Sequence, residues 1–196
     1  GEGARYPVPA GVTVLGVKYR ETGFDTDFAG SFRCNDDDYN ILWQKATRTC
    51  YLCMRDHFMD CPDRERTPKC LGDVCIQMEE IFYAFDAKSH ELARRAILDN
   101  PDYTHIIDQN LMFAGEYGTW FYYLNTGDIE TIRRQYPNLK KYLAKWQMGA
   151  DGLSEHNTHG WDWCDWGSPS KDKRVVQCCQ YYSTLKACRK MAQATG

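Results

Sequence analysis

The stretch FMDCPDRERTPKCLGD, residues 58–73, crowds two arginines (Arg64, Arg66), four carboxylates (Asp60, Asp63, Glu65, Asp73), two prolines and two cysteines into sixteen positions. Three chemistries compete for it: a solvated, salt-bridged loop, a cysteine metal site, or a catalytic loop. A carboxylic acid serves as a general acid near neutrality only when burial or a neighbouring carboxylate raises its pKa. Asp60, Asp63 and Asp73 could do this to Glu65, whereas Arg64 and Arg66 would pull the other way or clamp hydroxyls. Prolines on both sides stiffen the loop, as a site of fixed geometry requires. On composition alone the solvated cluster is the plainer reading.

A second unusual stretch, GWDWCDWG at residues 160–167, alternates Trp161, Trp163 and Trp166 with Asp162, Cys164 and Asp165. Indole faces stack on the C–H faces of sugar rings, and aspartates accept hydrogen bonds from sugar hydroxyls. The plainer alternative is that the tryptophans plug one end of the core. Cys50, Cys53, Cys70 and Cys75 could supply four thiolates to zinc, but the first pair, three apart on a helix, also suits packing. Cys61 beside His57 lacks anything in sequence to orient the base. His105, His156 and His159 have no metal spacing as a set. Glu116 lies among aromatic residues and suits either a pocket or an ion pair with an arginine.

The chain has 196 residues, 43% hydrophobic and 14% aromatic, with a formal net charge of −3. It is long enough for one domain with its own core. The mildly acidic balance argues against nucleic acid as the main partner, because phosphate binding needs a basic face. No run of 18 apolar residues exists, so no helix spanning a membrane is expected, and no leader segment is visible at Gly1. The ten cysteines read mainly as reduced, half-buried small hydrophobes.

The elements that must carry these loops follow from periodicity. Residues 1–33 read as strand and turn, with alternation at Val12–Val14 and Val17–Tyr19. From Cys34 onward the apolar spacing becomes three and four, and the pattern predicts about six helices. Tyr39, Leu42, Trp43, Ala46, Cys50 and Cys53 form the first stripe, capped by Asn35 or Asp36. Val74, Met78, Ile81, Phe82 and Phe85 form the second. Leu92 to Ile97 form a short third. Ile107 through Leu124 make one long fourth, stopped at Gly127. Ile129 through Trp146 make a fifth, with Pro137 predicting a kink and Gly149 a C-terminal stop. Asp151 to Asp172 read as a long polar loop. Val175, Cys179, Tyr182, Leu185 and Cys188 give the sixth. Successive helical pairs of this kind build barrels and solenoids.

The motif DCPDRER (residues 60–66), followed closely by GDV (72–74), resembles the signature of the bacterial α-L-rhamnosidases, glycoside hydrolase family 78. The flanks agree: GSFRCNDDDYNILWQKATRTC looks like entry from a β-sandwich into a first barrel helix. FYAFDAKSH looks like the end of the next helix, and GLSEHNTHGWDWCDWG looks like the family's Trp–Asp loop. The resemblance implies a mainly α fold: about half of an (α/α)6 toroid, residues 34–196, preceded by a β lead-in from a β-sandwich, residues 1–33. It further implies an inverting glycosidase in which Glu65 is the general acid. Asp60, Arg64 and Asp73 would bind the sugar, and Trp161, Asp162, Trp163, Asp165 and Trp166 would line its subsite.

Two departures bear on this. The family follows Arg-Glu-Arg with Gly-Trp and then Gly-Asp, whereas Thr67–Leu71 is about one residue longer and lacks the Trp, which points toward a related branch with another sugar. The closed barrel also needs about twelve helices, and no residue here matches the family's general base. The chain is therefore expected to be a truncated catalytic domain, inactive alone, completed by the missing half of the barrel or by a second copy as a homodimer. The alternative is a non-catalytic carbohydrate-binding module. General acid–base chemistry needs no cofactor, although a carboxylate-rich loop could hold calcium. By analogy such enzymes work in the periplasm or outside the cell.

Overall fold

A computed structural model describes residues 9–60, 70–103, 106–156 and 173–196. Helix α1 (Asp37–Leu52) begins where Asp36 caps it, its carboxylate accepting from the Asp38 N–H at 3.0 Å. Asp37 and Asp38 add negative charge to its first turn, where the helix dipole favours it. Helix α2 (Leu71–Ala84) is followed by a 3-10 turn at Ala87–Ser89 and by α3 (His90–Leu98). Next come α4 (Ile107–Ala114) and α5 (Thr119–Thr126). Helix α5 ends at Gly127, whose φ of +67° is the left-handed stop that glycine favours.

Asp128 then caps α6 (Ile129–Leu143), which continues through Pro137. Strands β1 (Trp146–Met148) and β2 (Ser154–His156) form an antiparallel hairpin with Trp146 opposite His156 and Met148 opposite Ser154. The long helix α7 (Lys173–Thr195) follows.

The helices stack in two layers. Helices α2, α4 and α7 are neighbours in one layer, with α2 against α4 and α4 against α7. Behind them, α1 packs on α2, α3 packs on α5 and α6, and α6 packs on α7. The result is three successive helical pairs, α1 with α2, α3 with α5, and α6 with α7, with α4 set between α2 and α7. Their shared core holds Met54, Phe58, Leu71, Met78, Ile81, Leu92, Ile97, Leu111, Phe113, Ile132 and Leu139, all fully buried. Each such side chain contributes about 1.5–3 kcal/mol relative to exposure.

Three features differ from the sequence reading. The fourth stripe is interrupted at residues 115–118, giving α4 and α5 in place of one helix. Trp146 leaves the fifth helix for β1 and stacks on Tyr181 at 4.9 Å, tying the small hairpin to α7. The first stripe does form a helix, but Cys50 and Cys53 are its buried residues while Tyr39 and Leu42, with the neighbouring Ile41, are exposed.

Residues 9–33 form no strand ladder, and Leu15 is 96% exposed. A strand needs a partner to form, and the described residues provide none. The later part of this segment is strapped down. The Gly30 N–H donates to the Ala84 carbonyl at 3.0 Å, the Asp86 N–H to the Asp27 carbonyl at 3.0 Å, and Arg48 pairs with Glu21. Among the described residues no helix is long and apolar enough to cross a membrane.

Candidate functional site

The turn after α1 is built to hold Asp60. Met54 and Phe58, both fully buried, pair across it. The Met59 N–H donates to the Cys53 carbonyl at 2.9 Å, and the Arg55 N–H to the His57 carbonyl at 3.1 Å. From α2, Gln77 Nε2 donates to the Met59 carbonyl at 2.8 Å, so the residue preceding Asp60 is fastened to the neighbouring helix. Asp73 sits in the first turn of that helix and Cys70 at its N-cap. Ligand atoms of Asp60, Cys70 and Asp73 all lie within 4.8 Å of one another, and the three residues are half-buried.

Two carboxylates converging in this way can accept hydrogen bonds from neighbouring donors of one ligand. Among the described residues they are also, with Cys70, the group close enough to share a metal ion. Cys50, Cys53 and Cys75 do not belong to that group, so the four-thiolate zinc site does not form. Burial pushes the Cys50 and Cys75 thiols up, Glu80 adding to the effect at Cys50 and Glu79 at Cys75.

Beside Asp60, a cavity of ≈ 440 Å³ opens between α1 and α2, lined by Leu42, Ala46, Cys53, Gln77 and Glu80 among others. Gln77 Oε1 itself is buried without a hydrogen-bond partner. The sequence reading missed Gln77, although its place four residues after Asp73 puts both on one helical face. It also missed Gln109 at the start of α4. That side chain is 1% exposed and lies against Gly72, and its Oε1 is likewise buried without a partner.

His57 Nδ1 is 3.1 Å from the Asp56 carboxylate. Glu116 pairs with Lys190 at 2.8 Å, a lysine in place of the expected arginine. It also lines a smaller cavity between α4 and α7. The other sequence-predicted site residues lie outside the described residues: Arg64, Glu65, Trp161, Asp162, Trp163, Asp165 and Trp166, together with Cys61, His105 and His159.

The stacked helical pairs have the architecture of a helical-hairpin fold, and comparison with known proteins agrees. The family model described as the bacterial alpha-L-rhamnosidase 6 hairpin glycosidase domain matches residues 27–105 and 110–196. The chain belongs to this family. Among solved structures, a family 78 rhamnosidase of Bacillus sp. GL1 superposes with a TM-score of 0.64 at 21% sequence identity, over 88% of this chain. At that identity the likeness is one of fold. The chain spans 21% of that protein's length. No curated protein matches.

Proposed function

We propose that the chain is the first-half portion of an inverting, α-L-rhamnosidase-like glycoside hydrolase, with residues 1–33 leading in from a β-sandwich and residues 34–196 forming three of the six hairpins. The observation that carries this reading is the meeting of Asp60 and Asp73, thirteen positions apart in sequence, within 4.8 Å at one turn. In the reaction, Asp60 and Asp73 accept hydrogen bonds from hydroxyls of the bound sugar, assisted by Arg64. Glu65 donates its proton to the departing glycosidic oxygen. The indoles of Trp161, Trp163 and Trp166 stack on the ring, and Asp162 and Asp165 accept from its hydroxyls.

Inversion needs a second carboxyl about 6.5–9.5 Å from the acid, which activates water on the opposite face of the ring. That base comes from outside these three hairpins, either from the rest of the barrel or from a second copy. By analogy with other carbohydrate-degrading enzymes, this one would work in the periplasm or outside the cell. Because the chain spans a fifth of the rhamnosidase it resembles, a second reading has it bind sugar without turning it over.

Two assays test the proposal. In calorimetric titration with L-rhamnose, Asp60→Asn and Asp73→Asn each weaken binding about tenfold or more, the loss of one hydrogen bond to a charged acceptor. Affinity unchanged in both variants refutes the site. Hydrolysis of nitrophenyl α-L-rhamnoside that is abolished by Glu65→Gln supports the catalytic reading. Binding without hydrolysis in this chain, alone and as a dimer, selects the binding-module reading.

A further inference from the structure

Residues 21–30 form a strap with two grips. One is on the corner after α2. There the Gly30 N–H donates to the Ala84 carbonyl and the Asp86 N–H to the Asp27 carbonyl, each at 3.0 Å, and Thr26 Oγ1 donates to the Asp86 carboxylate at 2.5 Å. A Cβ on Gly30 would run into the Tyr83 carbonyl, so backbone lies directly on backbone. Lys88 Nζ stands 3.6–3.9 Å from the carboxylates of Asp25, Asp27 and Asp86 and offsets their charge.

The second grip is on the end of α1 and the turn that follows it. Glu21 pairs with Arg48. Gly23 lies against Tyr51, where a Cβ would meet the phenol oxygen. Phe28 joins the two grips, its ring centre 5.3 Å from that of Tyr51 and 4.9 Å from that of Phe85. Arg55 Nη1 donates to the Thr22 carbonyl, while the Arg55 N–H donates to the His57 carbonyl at 3.1 Å. Arg55 thus closes the turn with its backbone and fastens it to the strap with its side chain. The same turn leads to Asp60, and Gln77 of α2 holds it at Met59. Two elements therefore fix the turn, α2 at Met59 and the strap at Arg55.

We propose that the strap is a clamp for the sugar-binding aspartate, with Arg55 as the positioning residue that connects them; the inference rests on the role proposed for Asp60. A hydrogen bond from a guanidinium is charge-assisted and about twice as strong as a neutral one. Binding groups must be held to within about 0.5 Å, which falls to the residues that support them. Sugar binding and strap opening then oppose each other. By linkage, the factor by which an open strap weakens sugar binding is the factor by which bound sugar suppresses opening.

The test uses the full chain with Arg55→Met, which removes the donor and keeps the stem, and Arg55→Lys, which restores a donor. In calorimetry, L-rhamnose affinity should fall about tenfold in Arg55→Met, the loss of one charge-assisted hydrogen bond, and largely recover in Arg55→Lys. Gly23→Ala, which pushes the strap off Tyr51 and leaves Arg55 in place, should also lower it. In hydrogen exchange, saturating L-rhamnose should slow the Gly30 amide of the wild type, and that slowing should vanish in Arg55→Met. Without sugar, the Met59 amide should exchange about tenfold faster in Arg55→Met. Affinity unchanged in both Arg55→Met and Gly23→Ala, while Asp60→Asn weakens binding, overturns the clamp and leaves the proposed function standing. A loss of affinity that Arg55→Lys does not rescue, with no sugar-dependent slowing at Gly30, marks a merely structural contact and also overturns it. If Asp60→Asn leaves affinity unchanged, the proposed function falls and the sugar-free exchange decides: equal Met59 rates in wild type and Arg55→Met overturn the clamp.

Discussion

Gly72→Ala tests how Asp73 is positioned. The added Cβ would sit 2.9 Å from Gln109 Cγ and 3.1 Å from its Cδ, where carbon–carbon contacts settle at about 3.5–4.0 Å. Gln109 is 1% exposed, so it has no solvent into which to swing. Overpacking of this kind costs about 1–3 kcal/mol, while alanine gains about 1 kcal/mol over glycine in helix propensity. The single substitution should therefore destabilise by about 0–2 kcal/mol, a range too near zero to be decisive alone.

The double-mutant cycle with Gln109→Ala is decisive. Once the amide arm is gone, Gly72→Ala should be neutral or stabilising by about 1 kcal/mol, and the coupling between the two sites should be about 1–3 kcal/mol. Urea unfolding of the four proteins, followed by circular dichroism, measures it. If Gly72→Ala has the same effect in both backgrounds, within about 0.5 kcal/mol, the close approach does not constrain the turn and the reasoning fails. Because Asp73 is the next residue, L-rhamnose affinity should fall in Gly72→Ala and recover in the double variant.

Further outcomes follow from other contacts. Asp128 caps α6 through the Thr131 N–H at 3.1 Å and accepts from Tyr122 Oη at 2.8 Å. Asp128→Ala should cost about 2–3 kcal/mol, from the lost cap and the stranded hydroxyl, lowering the melting temperature by about 5–10 °C; a shift under about 1 °C contradicts the assignment. Partial burial alone would raise the Asp128 pKa, but the hydrogen bonds from Thr131 and Tyr122 and the nearby Arg94 hold it below the usual 3.8. Its contribution is therefore full above that value and fades as pH falls through the lower folded value, so the wild-type advantage over Asp128→Ala should shrink in acid unfolding curves. Gly118→Ala meets backbone at Phe113 and should cost about 2 kcal/mol or more in the same urea assay. In iodoacetamide time courses read by mass spectrometry, exposed Cys179 should react well before Cys50 and Cys75, which are buried with raised thiol pKa values. Equal rates in the native protein would contradict that packing.

How much of this was legible in the sequence depended on the range of the interaction that decides each feature. The stripes at Val74–Phe85, Leu92–Ile97 and Val175–Cys188 became α2, α3 and α7 because spacing of three and four is a local property. The break in the fourth stripe was hidden because glycine within a stripe reads as tolerated. What decides it is Gly115 meeting Thr184, a residue more than sixty positions away. The strands are three residues each, too short to show alternation, β1 falling at the end of the fifth stripe and β2 inside the polar loop.

The site divides along the same line. Composition left the loop at residues 58–73 open between a salt-bridged surface and a catalytic turn, and only the resemblance placed Asp60 with Asp73. Gln77 and Gln109 escaped because a buried amide with an unpaired oxygen is recognised by what fails to surround it, and periodicity does not report that. The stripe of α1 shows the remaining gap. Tyr39 and Leu42 have the spacing of core residues, yet they face solvent beside the α1–α2 cavity. Pattern states which face of a helix is apolar; burial also needs a neighbour. Tyr39 and Leu42 of α1, and Val175, Tyr182 and Leu185 of α7, are exposed among the described residues for want of such a neighbour, although their spacing is that of core positions.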